Sequence, residues 1–407
     1  MATPTHIVVA GGNYAGLNAM RHLYSTLLAG PAPAAVHLTM IDRRDGFLHY
    51  VGMTRGLTDL EYGEQLWVPY AASPWLRHPQ ITVKQGTVVR ITDRCVELAG
   101  GEMVWFDYLV LALGVARFAP IGVCARTKRD FVHGLAATHA QLAAAKSVAV
   151  IGGGAVGIEL AADIKSKFTA KKVALVHSRA KLLPGPFLEA LRDAVADILE
   201  HRLGVRLVLG RRVVAQDPVS ADMWGATSNP ECVRAVATAA TLTLDDNSAL
   251  SCDLAIRCLG VHNRHALLDF PPDVDITGPA GIRVRPTMQV DDDRLPHIYA
   301  CGDICDRYQI KLAGVAIHGA YIAARNIARA VLHPARSDLD TSVPRPVGIL
   351  LLLGHDHSVW QSGDTLHDEH TARMVSDDDM TLARSIAALS LLQVPAAASP
   401  YDQPSAT

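Results

Sequence analysis

The chain has 407 residues, 49% of them apolar, and a formal net charge of −2. That length allows two or three domains with sizeable cores, and the balanced charge argues against nucleic-acid binding, which requires a basic surplus. The seven cysteines are scattered and form no Cys-x-x-Cys pair, so neither a disulfide framework nor a zinc site is expected.

The first strand is expected to begin near His6, too early for a signal peptide. No apolar run approaches the length of a membrane span, and Met1-Ala2 lacks the glycine that myristoylation needs. A cytoplasmic protein without a transmembrane segment is the expectation. Strand 6–10 runs into Gly11-Gly12-Asn13-Tyr14-Ala15-Gly16 and a helix over 14–28. A tight strand-to-helix turn needs glycine where φ is positive or where backbone must approach a pyrophosphate. The free N–H groups of the following helix suit that anion. Asn13 replaces the middle glycine, and asparagine tolerates unusual φ, so the turn is expected to survive. The second strand, Val36 to Ile41, ends at Asp42, where an acidic residue of a βαβ unit commonly holds ribose hydroxyls.

Four short segments follow, Ile81–Lys84, Thr87–Thr92, Cys95–Leu98 and Met103–Phe106, and read as an antiparallel meander. A buried strand comes next, from Tyr108 to Gly114. A second unit then starts: strand 147–151, the turn Gly152-Gly153-Gly154-Ala155-Val156-Gly157, helix 155–168, strand 171–177, helix 187–203 and strand Val205–Leu209. The stretch Gln216–Glu231, rich in Pro, Ser, Asp and Asn, reads as an inserted loop. Leu254 to Gly260 is a buried strand, Ile298 runs as a strand into Gly302-Asp303, and 312–332 is helical. Cys301 and Cys305, beside that Gly-Asp pair, read as small buried residues. After His333-Pro334 come an apolar strand 347–353, a charged turn at Asp377-Asp378-Asp379, a helical run 380–393 and a tail.

This order predicts an α/β fold of two nested Rossmann-like dinucleotide-binding domains with a small C-terminal α+β domain. The boundaries are 1–120 with 253–335, 121–252, 336–395, and a tail 396–407. Two dinucleotides in one chain point to electron transfer, with a nicotinamide delivering hydride to a flavin. At the end of the second unit's strand, Val173–Val176 leads into His177-Ser178-Arg179 with no carboxylate. Ser178 can donate a hydrogen bond and Arg179 can pair with a 2′-phosphate. Gly157 as third glycine leans towards NAD. NADPH and NADH are both expected to serve, with a modest preference for NADPH.

The two glycine turns, the segments Ala112-Leu113-Gly114 and Cys258-Leu259-Gly260, and Gly302-Asp303 together resemble the pyridine nucleotide–disulfide oxidoreductase superfamily. Within it, Asp42-Arg43-Arg44-Asp45-Gly46-Phe47 and Val176-His177-Ser178-Arg179 are similar to the apoptosis-inducing-factor-like branch, which includes the ferroptosis-suppressor quinone reductases and fungal homologues. The resemblance spans roughly 5–335. It implies that Gly11, Gly12, Asn13, Tyr14, Ala15 and Gly16, with Asp42 and Arg43, bind the ADP half of FAD, while Thr87 and Val88 pass the adenine. Gly114, Gly302 and Asp303 would contact the rest of FAD, Asp303 taking a ribityl hydroxyl. Helix 312–332 would aim its positive end at the reduced flavin. Gly152, Gly154, Ala155, Val156, Gly157 and Gly260 would hold the nicotinamide nucleotide, and Glu159 would lie at the nicotinamide–flavin junction.

The chain departs from the family pattern at three places. Leu113 and Leu259 stand where a threonine is usual, and Leu353-Gly354-His355-Asp356-His357-Ser358-Val359-Trp360 replaces a glycine-rich segment. No cysteine pair follows the first turn, so disulfide reduction is not expected, and electrons would pass from flavin directly to an acceptor. His355-Asp356-His357 reads as a surface turn rather than a metal site. His318 is either a proton donor near the flavin or a packed structural histidine. His49 and Arg55 are candidates for the flavin's other face. The apolar face of 382–394 reads as packing within the protein or a homodimer rather than as peripheral membrane contact. The leading reading is an FAD-dependent NAD(P)H oxidoreductase acting on a quinone-like or small organic acceptor. The alternatives are a biosynthetic flavoenzyme that oxidises or rearranges a bound substrate, and a non-enzymatic signalling flavoprotein.

Overall fold

A computed structural model describes residues 4–31, 33–217, 236–260, 262–263, 268–270, 273–308, 310–343 and 346–373. Ile7, Val8, Val9 and Ala10 are fully buried, as expected of a strand covered on both faces. This strand, Thr5–Ala10, lies at the centre of a five-stranded parallel sheet. The sheet order is Ile298–Ala300, Tyr108–Leu111, Thr5–Ala10, Val36–Asp42, Ile81–Gln85. Its last-arriving strand enters only after the whole second sheet has been made. Helices Tyr14–Leu27 and Ala313–Leu332 pack against each other over this sheet.

The second sheet has six strands. Arg206–Leu209, Lys172–His177, Ser147–Ile151 and Ala249–Arg257 are parallel. Val236–Leu244 and Val213–Asp217 extend it in antiparallel fashion. A third unit is a three-stranded antiparallel sheet, Gly348–Leu353, His357–Ser362 and Thr365–His367. Its first strand packs on helix Ala155–Lys167. The fold is therefore two nested Rossmann-like units with a small C-terminal unit. Among the described residues no helix is long and apolar enough to cross a membrane.

Several elements differ from the sequence reading. Ile81–Gln85 is no part of the meander; it forms the edge of the parallel sheet, paired with Val36–Asp42. Only Val88–Ile91, Cys95–Leu98 and Met103–Trp105 form the antiparallel set. Periodicity cannot separate a parallel edge strand from a hairpin strand. A helix over Lys128–Ala144 was not anticipated, although Thr127 caps it by accepting from the Asp130 N–H at 3.2 Å. Its alanine-rich sequence buries only Phe131, Leu135 and Leu142, so its apolar stripe is thin. Strand Val213–Asp217 ends inside the expected inserted loop, taking Gln216 and Asp217 from it; the remainder of that loop, the charged turn at 377–379, the run 380–393 and the tail lie outside the described residues.

Candidate active site

The two glycine turns are built alike. Gly11 has φ of +108° and a Cβ there would sit 2.3 Å from the Ala112 carbonyl oxygen. Gly152 has φ of +122°, and its Cβ would sit 2.3 Å from the Cys258 carbonyl oxygen. The third glycines, Gly16 and Gly157, bring their helices onto the carbonyls of Gly11 and Gly152, where added Cβ atoms would stand 1.6 and 1.9 Å away. The middle position behaves differently. Asn13 has φ of −93°, so the expected tolerance of unusual φ is not used. Instead its side chain caps the helix, Oδ1 accepting from the Tyr14 N–H at 2.8 Å, and Nδ2 donates to the Leu48 carbonyl at 3.1 Å. At Gly154 a Cβ would meet nothing within 4 Å, which leaves backbone open to a phosphate.

The first turn and the start of the helix that follows the second turn line one cavity. Its walls include Gly11, Asn13, Tyr14 and Ala15 of the first turn, Asp42, Arg43 and Arg44, Thr87 and Val88, Gly114, Arg117, Gly302 and Asp303, and also Ala155, Val156 and Glu159 of the second unit's helix. Lys311, Leu312, Ala313 and Ala316 bring the start of helix Ala313–Leu332 to it, and Ile349, Leu350 and Leu351 of the C-terminal sheet close it. Gly12, Gly16, Gly152, Gly154, Gly157, Ser178, Arg179, Gly260 and His318 lie off this cavity wall. Gly12 and Gly16 shape the turn from behind, whereas Ser178 and Arg179 are exposed at the end of Lys172–His177. His318 is half-buried in its helix.

Asp42 is 6% exposed and fully engaged. Its Oδ2 accepts from the Gly12 N–H at 2.7 Å, and Oδ1 accepts from the Arg44 backbone N–H at 2.8 Å and Nε at 3.2 Å. Burial alone would raise the Asp42 pKa, but the Arg44 guanidinium and these hydrogen bonds outweigh it and hold it below the usual carboxylate range. Arg43, half-buried on the cavity wall, donates to the Val123 carbonyl at 2.7 Å, while Arg44 is the more deeply buried of the two, at 6% exposed. Arg44 Nη1 and Thr87 Oγ1 are buried without a hydrogen-bond partner among the described residues. Such atoms are costly unless a ligand satisfies them.

Arg117 Nη2 donates to Asp303 Oδ2 at 2.9 Å. Lys311 Nζ donates to the Cys305 carbonyl. The sequence reading singled out none of Arg44, Arg117 and Lys311; only the motif around Arg44 was visible in advance. Glu159 Oε1 accepts from the Leu352 N–H at 3.3 Å, joining the second unit's helix to the C-terminal sheet. His49 does not line the cavity: its Nδ1 is 3.0 Å from the Tyr14 hydroxyl. Arg55 points away, donating to the Gly354 carbonyl at 2.7 Å and lying 3.7 Å from Asp163. Cys301 and Cys305 are buried and free, and burial pushes the Cys305 thiol up to about 11. Of the expected surface turn, His355 and Asp356 lie in the turn between two strands, whereas His357 opens strand His357–Ser362 and its Nδ1 lies 2.6 Å from Glu369.

The family model for pyridine nucleotide-disulphide oxidoreductases matches residues 5–320. The chain belongs to this family. It is an FAD-dependent NAD(P)H oxidoreductase, and among the described residues its cysteines are free. The cavity residues fit FAD: positive-φ glycines at close approach, orphaned buried donors at Arg44 and Thr87, and a helix start at Leu312 and Ala313. Oxidoreductase OXR1 of Ajellomyces capsulatus is 28% identical over 359 residues, covering 81% of this chain and 74% of that protein. Ferroptosis suppressor protein 1 of Homo sapiens is 25% identical over 390 residues, covering 93% and 94%. Apoptosis-inducing factor homolog B of Dictyostelium discoideum is 25% identical over 329 residues, covering 79% and 80%. Among solved structures, the water-forming NADH oxidase of Lactobacillus brevis bound to NADH matches with a TM-score of 0.65 at 20% identity, covering 88% of this chain and 74% of that one. The NAD-dependent persulfide reductase of A. fulgidus matches with a TM-score of 0.66 at 17% identity; the chain spans 66% of its length. These structures share the fold.

Proposed function

We propose that this oxidoreductase takes hydride equivalents from NAD(P)H and reduces a quinone-like or small aromatic acceptor. The observation that carries the reading is the composition of the cavity: the first nucleotide-type turn on one side, the start of the helix after the second turn on another, and an apolar wall of Ile349, Leu350 and Leu351. When bound, FAD accepts hydride from the nicotinamide and passes electrons on. The division of labour follows the nesting. Residues 1–120 with 253–335 hold FAD, 121–252 hold the nicotinamide nucleotide, and 336–395 supply the acceptor wall.

Gly11, Asp42 and Arg44 hold the ADP half, and Asp303, positioned by Arg117, accepts from the ribityl chain. The start of helix Ala313–Leu332 stabilises negative charge at the flavin end. Glu159, tied to the Leu352 N–H, keeps the acceptor wall beside the nicotinamide turn. A planar apolar acceptor gains roughly 25 cal/mol per Å² of surface it buries on such a wall. The similarity to ferroptosis suppressor protein 1 supports the quinone class.

Steady-state turnover with a short-chain quinone tests this reading. Leu350→Asn is expected to raise the quinone KM several-fold while the rate of flavin reduction by NAD(P)H stays within about twofold. Flavin that is reduced by NAD(P)H but not reoxidised by any quinone would rule out the acceptor class and favour a biosynthetic substrate.

A further inference from the structure

The two units treat the N–H of their second glycine in the same way but with different chemistry. In the first, Gly12 N–H is held by Asp42, the last residue of strand Val36–Asp42. In the second, Gly153 N–H is held at 3.1 Å by Nδ1 of His177, the last residue of strand Lys172–His177. A backbone N–H only donates, so Nδ1 is the unprotonated nitrogen and the ring proton of the neutral tautomer sits on Nε2. His177 is 8% exposed, and Nε2 has no partner among the described residues. Burial and the nearby Arg179 both lower the pKa of His177 from its ordinary value, so the ring is neutral at neutral pH.

In nicotinamide-binding units of this topology, the carboxylate at the strand end binds the 2′-hydroxyl of the adenosine ribose, and its charge opposes a 2′-phosphate. His177 occupies that place without the charge. We infer that His177 is a specificity-determining residue that opens the second nucleotide site to a 2′-phosphorylated adenosine: it satisfies Gly153 as a carboxylate would, places no anion at the strand end, and leaves the exposed Arg179 to meet the phosphate. The inference rests on the proposed assignment of the second turn to the nicotinamide nucleotide.

Calorimetric titration of the FAD-loaded full chain with adenosine 2′,5′-bisphosphate and with adenosine 5′-monophosphate tests it without turnover. The wild-type protein should bind the bisphosphate more tightly. His177→Asp keeps an acceptor for Gly153 but restores the negative charge, and should cut the preference about tenfold or more, because like charges across a site are strongly disfavoured. His177→Asn, a neutral acceptor with an N–H donor, should keep most of the wild-type preference. Arg179→Ala should weaken the bisphosphate alone. An unchanged preference in His177→Asp, with FAD absorbance and unfolding temperature intact, would overturn the role of His177. Failure of either fragment to bind the wild-type protein would instead overturn the assignment of the site, and this inference with it.

Discussion

Asp303 does not stand alone on the cavity wall, because Arg117 reaches it across 186 residues of sequence. On the proposed assignment, removing the carboxylate loses a charge-assisted acceptor for FAD, and it also leaves Arg117 without this partner. Asp303→Ala is therefore expected to weaken FAD by about 10- to 100-fold, from roughly 1.5–3 kcal/mol, read as FAD occupancy after dialysis. Full occupancy in the variant would count against the assignment. Arg44 carries a larger stake, since it is 6% exposed and paired with Asp42, also 6% exposed. Arg44→Met strands a buried carboxylate and should cost about 3–5 kcal/mol in urea unfolding. Asp42 has a depressed pKa in the fold, so the pair stabilises at neutral pH and loses that contribution as pH falls through the carboxylate range. The wild-type advantage should accordingly shrink in acid. At this scale the glycines and Asp42 were legible, because a strand-to-helix turn is a local device. Arg44 was not, since nothing local says which of two adjacent arginines pairs with Asp42. Arg117 was not, since its partner is fixed only by the fold.

Helix Ala155–Lys167 links all three units along one face. Glu159, Asp163, Ser166 and Lys167 follow helical spacing and meet, respectively, the Leu352 N–H, Arg55, the His355 N–H and Asp59. Asp163 is the buried member of this row, and burial pushes its carboxyl from 3.8 up to about 6, against the opposing pull of Arg55 and Thr54. The folded state thus holds an extra proton between roughly pH 4 and 6, and the charged form costs stability above that window. A gap of that size corresponds to about 3 kcal/mol. Asp163→Asn stays neutral throughout, so the wild-type protein should lose stability relative to it as pH rises from 4 to 6. Parallel unfolding curves across that range would contradict the buried-charge account. The helix itself was readable from its glycine turn and apolar periodicity. Its tethers were not, because they join it to residues more than a hundred positions away, and the weakly patterned helix Lys128–Ala144 escaped notice for lack of an apolar stripe.

At the scale of the whole molecule, the nesting was legible because each glycine turn marks a unit and Gly302-Asp303 marks the return to the first. The shared cavity was not legible, since it exists only once Ala155, Val156 and Glu159 of the second unit face Gly11, Gly114 and Asp303 of the first. The C-terminal strand Gly348–Leu353 was recognised as buried, but its place against that cavity depends on packing with helix Ala155–Lys167. On the proposed function, nicotinamide and flavin meet in this shared space. Anaerobic titration of the purified FAD-loaded protein with NADPH and with NADH, followed by flavin absorbance, tests it most directly. Stoichiometric bleaching of the flavin by both is expected, more readily by NADPH; an oxidised flavin spectrum that persists with either nucleotide would show that the two do not meet there.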